Sequence, residues 1–322
     1  LIYIWGQTFF VFAAAEIIFS LGLSFKSGSD TALIFDSLKA MNRETEFTKI
    51  EGTARSYIMY TQAFGSIVAG IVYDINMNLP MIISVGFMII AAVMALQFEE
   101  PDRTDQEDLT LKSYISQIKD SVQYTLNHDK MKAVILFSMV FFIFYRIGFL
   151  YFQPYMEAVH IPVLYFGVIF FVFNIVSATV SRYSDKIMNA TKPRTMVFMA
   201  SLIIISFAVL GVVKVWYGVA AILLQQVARG LYRPVIRKYL NKHTPSNKRA
   251  TILSFQSLAA NIAVAAAIPL MGMLKDKTSI FTSHLILAPV MLLLVGTVRI
   301  YMNQRLGRSS VARQTGSRKT EI

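Results

Sequence analysis

QQVARGLYRPVIRKYLNKHTPSNKRATILSFQSLAANIAVAAAIPLMGMLKD, residues 225–276, holds two apolar runs joined by a short, intensely basic turn. Arg229, Arg233, Arg237, Lys238, Lys242, Lys248 and Arg249 crowd around that turn, whereas the far end carries only Lys275 and Lys277 beside Asp276. Lys and Arg are enriched in the cytoplasmic loops of membrane proteins, so this polarity predicts a cytoplasmic turn and an outer position for Asp276.

Composition agrees with a membrane setting. Apolar residues make up 55% of the chain, against about 45–50% in a soluble domain, and they fall in runs rather than in amphipathic stripes. A net charge of +12 would suit a nucleic-acid partner, but the Lys and Arg residues are confined to the gaps between apolar runs, which argues against one. With no Cys, disulfides and thiolate metal sites are excluded. His128, His160, His243 and His284 have no metal-ligand spacing and read as structural or solvated. No metal or cofactor is expected.

A span of lipid needs about 20 apolar residues. By that measure nine spans are expected, at residues 8–29, 54–73, 79–98, 132–153, 163–183, 195–214, 216–236, 251–273 and 280–301. Residues 1–5, ahead of a Gly6-Gln7-Thr8 break, read either as the stump of a further span or as the start of one long first helix.

The connections alternate in charge. Segments 39–55, 103–132, 182–194, 229–249 and 299–319 hold 26 of the 31 basic residues, and the opposite connections hold Lys214, Lys275 and Lys277. Lys26 and Arg146 are left at membrane depth. The chain is therefore expected to descend from outside to inside in its first span and to end in the cytoplasm, as a multi-pass protein of a cell membrane. Residues 99–131 form the longest connection, and within it Leu111, Ile115, Ile118, Val122 and Leu126 recur at helical spacing. This pattern predicts an amphipathic helix, lying on the cytoplasmic leaflet or packed on the protein. The expected division is a three-span remnant of a first bundle at 1–98, a linker at 99–131, a six-helix bundle at 132–304 and a basic, unstructured cytoplasmic tail at 305–322. With Leu at position 1 and no charged leader, three further helices are expected to precede the chain.

Several stretches together resemble the major facilitator superfamily, from its helix four to its helix twelve. AEIIFSLGLSFKSGSDTALIFDSL (15–38) is similar to helix four, with Glu16 where many members carry Arg. Gln153-Pro154-Tyr155 resembles the outer end of helix seven, and Arg229, Pro234, Pro245, Arg249-Ala250-Thr251 and Gly272 resemble helices ten and eleven. SRYSDKIMNATKPR (181–194) is similar to the short loop motif between helices eight and nine, with Asp185-Lys186 as its acidic-basic pair and Ser181 replacing Gly. The resemblance implies an all-α, polytopic membrane protein built of two helical bundles, with about nine of twelve transmembrane helices present.

Ionisable groups inside hydrocarbon are expensive and mark function by default. Glu16 lies roughly 12 Å below Thr8, Arg146 roughly 12 Å below Pro154, and Gln225 and Gln226 roughly 14 Å from Trp216, at 1.5 Å per residue. The resemblance places all of these on cavity-lining helices. They are candidates for the substrate or proton pathway, Glu16 as a protonatable carboxylate and Arg146 as its modulator or an anion anchor. A structural ion pair, or an Arg that snorkels to the headgroups, is the alternative. Asn174 and Asn261 are weaker candidates for the same cavity. By resemblance, Asp30, Asp36, Arg55, Asp185, Lys186, Arg229 and Arg249 are candidates for cytoplasmic gating contacts, with solvated surface charge as the alternative.

The leading expectation is a monomeric secondary transporter of a small solute, working by alternating access with a proton as candidate coupling ion and efflux as candidate direction. No GxxxxGK[ST], HExxH or GxSxG motif occurs, so neither ATP binding by this chain nor a membrane-embedded enzyme is indicated. A non-transporting sensor, a scaffold or an inert fragment is the other class left open.

Overall fold

The structure is a computed structural model that describes all residues except 1, 7, 27–28, 44–45, 99–115, 117–118, 121, 126, 244–248 and 318–322. Within its helices some side chains also lie outside the description, among them Asp30, Asp36, Arg55, Arg249 and those of residues 305–317. Every regular element among the described residues is helical. In lipid the backbone has no water to bond, so an apolar run must satisfy its own N–H and C=O groups as a helix.

The helices are α1 (Ile2–Trp5), α2 (Phe9–Lys26), α3 (Ser29–Ala40), α4 (Phe47–Ile75), α5 (Leu79–Ala95), α6 (Asp129–Ala158), α7 (Phe166–Arg182), α8 (Ser184–Thr191), α9 (Thr195–Val212), α10 (Ile222–His243), α11 (Arg249–Lys277) and α12 (Ile280–Ser317). Among the described residues, five segments are long and apolar enough to cross a membrane: Asp129–Ala158, Val163–Arg182, Thr195–Val212, Thr251–Lys277 and Ile280–Gln304. The other four expected spans are also helical, as α2, α4, α5 and α10. The protein is an all-α polytopic membrane protein.

The chain divides into two compact units, residues 1–108 with 163–171, and residues 109–162 with 172–322. In the first, the Gly70 backbone lies so close to Gly167 that a Cβ would stand 3.1 Å from the Gly167 nitrogen, and Ser66 Oγ donates to the Gly167 carbonyl at 3.3 Å. Most large apolar side chains of α2, α4 and α5 are exposed, including Phe9, Phe10, Phe64, Phe87 and Met88. An apolar surface of that extent suits lipid rather than water.

The second unit is built around α6. Phe137, Phe141, Phe144, Gly148, Tyr151 and Tyr155 repeat every three or four residues along one buried stripe. That stripe packs against α10, α11 and α12, while α9 packs against α10 and α12. Two tyrosines fasten α6 to its neighbours: Tyr151 donates to the Met271 carbonyl and Tyr155 to the Val213 carbonyl, each at 2.6 Å.

Four features differ from the sequence expectation or fall outside what can be compared. Helix α2 is described to Lys26, and a separate helix, α3, begins at Ser29, the last residue of the first expected span. The span expected at 216–236 begins as a 3₁₀ turn at Trp216–Ala221 and continues as α10 through the basic stretch to His243. In place of an unstructured tail, the backbone of α12 stays helical to Ser317, since extending a formed helix is far easier than nucleating one. Leu111, Ile115, Ile118 and Leu126 of the expected amphipathic helix lie outside the described residues.

Helices α7 and α10 meet at Gly230, where a Cβ would stand 2.5 Å from the Ser177 carbonyl oxygen and 3.0 Å from Val180 Cβ. Gly230→Val is expected to destabilise the protein by about 1–3 kcal/mol. Gly272→Val, with nothing within 4 Å, is expected to be near neutral. Thermal unfolding of the two variants in detergent compares them, and equal melting temperatures would contradict this packing.

Candidate functional site

Four of the polar candidates, Asn174, Gln225, Gln226 and Arg229, lie along the contacts that α10 makes with α6, α7 and α9. Gln225 is fully buried; its Nε2 donates to Ser206 Oγ at 2.9 Å and its Oε1 has no partner among the described residues. That amide is directed at Gly148, where any Cβ would collide with Oε1. Absence of a side chain at 148 is thus what admits a glutamine between α6 and α10.

Gln226 is also buried, and its Oε1 accepts from Arg229 Nη1 at 3.2 Å. The same nitrogen donates to Asn174 Oδ1 at 3.1 Å, joining α10 to α7. The sequence groups Arg229 with the basic turn and its gating contacts, but it lies seven residues inside α10. At 1.5 Å per residue that is about 10 Å from Ile222 and about 21 Å from His243.

Depth within the unit follows from ring contacts. Tyr232 stacks on Phe141 and Phe142, with centroids at 5.1 and 5.6 Å, and Gln225 faces Gly148. Helices α6 and α10 are therefore antiparallel, with Tyr232 level with Phe141 and Gln225 level with Gly148. Arg229 falls level with Phe144, which puts the Arg146 backbone about 3 Å from the same plane. Arg146 sits on the less buried stripe of α6 with its guanidinium 6.0 Å from the Phe149 ring. Among the described residues neither arginine has a carboxylate partner; the ion pairs are Arg43–Glu46, Lys132–Asp129 and Lys238–Asp185.

The other candidates scatter. Asn261 is exposed on α11 and donates to the Ser257 carbonyl of its own helix. Asp185 pairs with Lys238 at 3.3 Å between α8 and α10, both side chains well exposed, and Lys186 Nζ lies 5.2 Å from the Tyr183 ring centroid. In the first unit, Glu16 is on the exposed face of α2 and lines a shallow depression of about 430 Å³ with Ala13, Ile17, Ser20 and Leu21. Asp30, Asp36, Arg55 and Arg249 belong to α3, α4 and α11, with side chains outside the description.

One residue escapes sequence reasoning. His284, read as structural or solvated, is buried at the start of α12 among the rings of Tyr151, Tyr155 and Phe207, at centroid distances of 5.5, 5.8 and 5.5 Å. Its Nδ1 faces the Ile280 carbonyl at 2.7 Å and so carries the proton, which leaves Nε2 an acceptor with no donor among the described residues. A lone His in an apolar run gave no signal of this.

A sequence profile of the Major Facilitator Superfamily matches residues 135–320, more than half of the chain. The chain belongs to the major facilitator superfamily. Its class is therefore that of membrane transporters. A comparison with curated proteins returned no match. The superfamily match covers the whole of the Asn174, Gln225, Gln226 and Arg229 cluster.

Ser206→Ala removes the bonding partner of the buried Gln225 amide and is expected to destabilise the protein by about 1–3 kcal/mol. Replacing both partners, as Ser206→Ala with Gln225→Leu, should recover most of that loss, because no polar group is then left unmatched. A double-mutant cycle in thermal or denaturant unfolding reads the coupling, and additive effects would show that the two side chains do not interact.

Proposed function

We propose that the protein is a secondary active transporter of a small solute that works as a monomer by alternating access, with its C-terminus in the cytoplasm. The observation that carries this reading is the polar layer of the second unit. Arg146 and Asn174 stand deep in the apolar helices α6 and α7, and Gln225, Gln226 and Arg229 stand on the N-terminal part of α10, ahead of its basic stretch; a single Arg in hydrocarbon costs about 2.5–3.5 kcal/mol on insertion scales. Groups so expensive are retained for a solute that passes among them, and transporters of this architecture hold their solute near the bilayer midplane.

Coupling is assigned to Glu16, a carboxylate within an apolar helix that can carry a proton inward as solute leaves. Gating at the cytoplasmic end is assigned to the charges of the basic connections: Asp30, Asp36, Arg55, Asp185, Lys186 and Arg249. The exposed Asp185–Lys238 pair suits such a role, since an exposed ion pair contributes at most about 1 kcal/mol and can break and remake readily.

Two measurements test this reading. Lys242 and Lys275 are expected to react with impermeant amine reagents from opposite faces of the membrane; reaction from the same face would end the topology. In proteoliposomes with an imposed pH gradient, labelled solute is expected to accumulate, and Glu16→Gln should reduce this accumulation to that of protein-free vesicles. Accumulation unchanged in Glu16→Gln would remove the carboxylate from coupling.

A further inference from the structure

The charge of the polar layer is one-sided. Between residues 132 and 301 the carboxylates are Glu157, Asp185 and Asp276. All three stand away from the layer: Glu157 and Asp276 lie one residue from the ends of α6 and α11, and Asp185 lies in the short helix α8. Arg229 and Arg146 share nearly one depth, and among the described residues no carboxylate meets either of them.

Arg229 is held in place without being neutralised. A guanidinium has five N–H donors in a rigid fork. Both bonds described for Arg229, to Asn174 Oδ1 and to Gln226 Oε1, leave from Nη1. The Nη2 and Nε donors, which together make the edge that matches two anionic oxygens, are taken by none of the described residues. The partners on Nη1 are neutral amides, one of them buried, so they fix the plane of the fork and cancel none of its charge. Snorkelling does not account for this, since the side chain is bonded sideways to α7 rather than extended to an interface.

We propose that this layer recognises the anionic group, carboxylate or phosphate, of a small organic solute. Arg229 binds it through the Nη2–Nε edge and Arg146 adds a second positive charge at the same depth. The proposal deepens the transporter reading and rests on it for the route by which the anion arrives.

The test uses the detergent-purified protein and follows its melting temperature against concentration of matched probes. Benzoate and succinate are paired with benzamide and succinamide, and inorganic phosphate and phenyl phosphate with chloride at equal ionic strength. At least one anion is expected to raise the melting temperature where its partner does not, and the carboxylate and phosphate arms identify which group is preferred. Arg229→Gln should raise the Kd of that anion by roughly ten- to hundredfold, and Arg229→Lys by less, because the charge survives while the fork is lost. The wild-type comparison needs no variant to fold: if no anion exceeds its partner, the proposal is overturned, and anion binding unaltered in Arg229→Gln overturns it equally. Flux in proteoliposomes separates this outcome from failure of the transporter reading. Anion binding without flux leaves the recognition standing and removes transport, whereas flux of a neutral or cationic solute that Arg229→Gln does not change does the reverse.

Discussion

The close seating of α10 against α6 and α7 is the constraint on which the second unit depends. Lipid tails are as apolar as leucine, so the hydrophobic effect that joins helices in water does little to join them here. Association rests instead on shape, small residues and bonds between polar side chains. Gly148 opens α6 to the Gln225 amide, and Gly230 lets α10 approach the Ser177 carbonyl of α7. The stack of Tyr232 on Phe141 and Phe142 then sets the register. Given that register, Asn174 and Arg229 come within bonding distance and the polar residues share one layer.

The helical class was legible because it depends on one-dimensional facts: the length of apolar runs, and the confinement of cations to alternate gaps. Side-chain partners were not legible, because they depend on which helix faces which. Arg229 counted with the turn since it is one of seven cations between positions 229 and 249, yet α10 runs unbroken from Ile222 to His243 and leaves it far from that end. Asn174 and Asn261 looked equivalent as lone amides in apolar runs. One reaches across to an arginine, and the other bonds the carbonyl four residues back along its own helix. His284 was silent, because its environment is supplied by α6 and α9 rather than by its neighbours in sequence.

The chemical identity of Arg229's partners decides what the layer can do. A carboxylate on the fork would have cancelled the charge and fixed the helices in a pair that is strongly destabilising to break. An amide contributes direction without charge, so the electrostatic attraction of the guanidinium remains available to a ligand. That attraction is larger here than in water, because the surroundings are less polarisable. A ligand can shift a conformational equilibrium only by the difference in its affinity for the two states. A guanidinium oriented by neutral groups supplies such a difference wherever one conformation presents its open edge and another does not. Neutral amides on α7 and α10 therefore keep a costly charge in place without cancelling it.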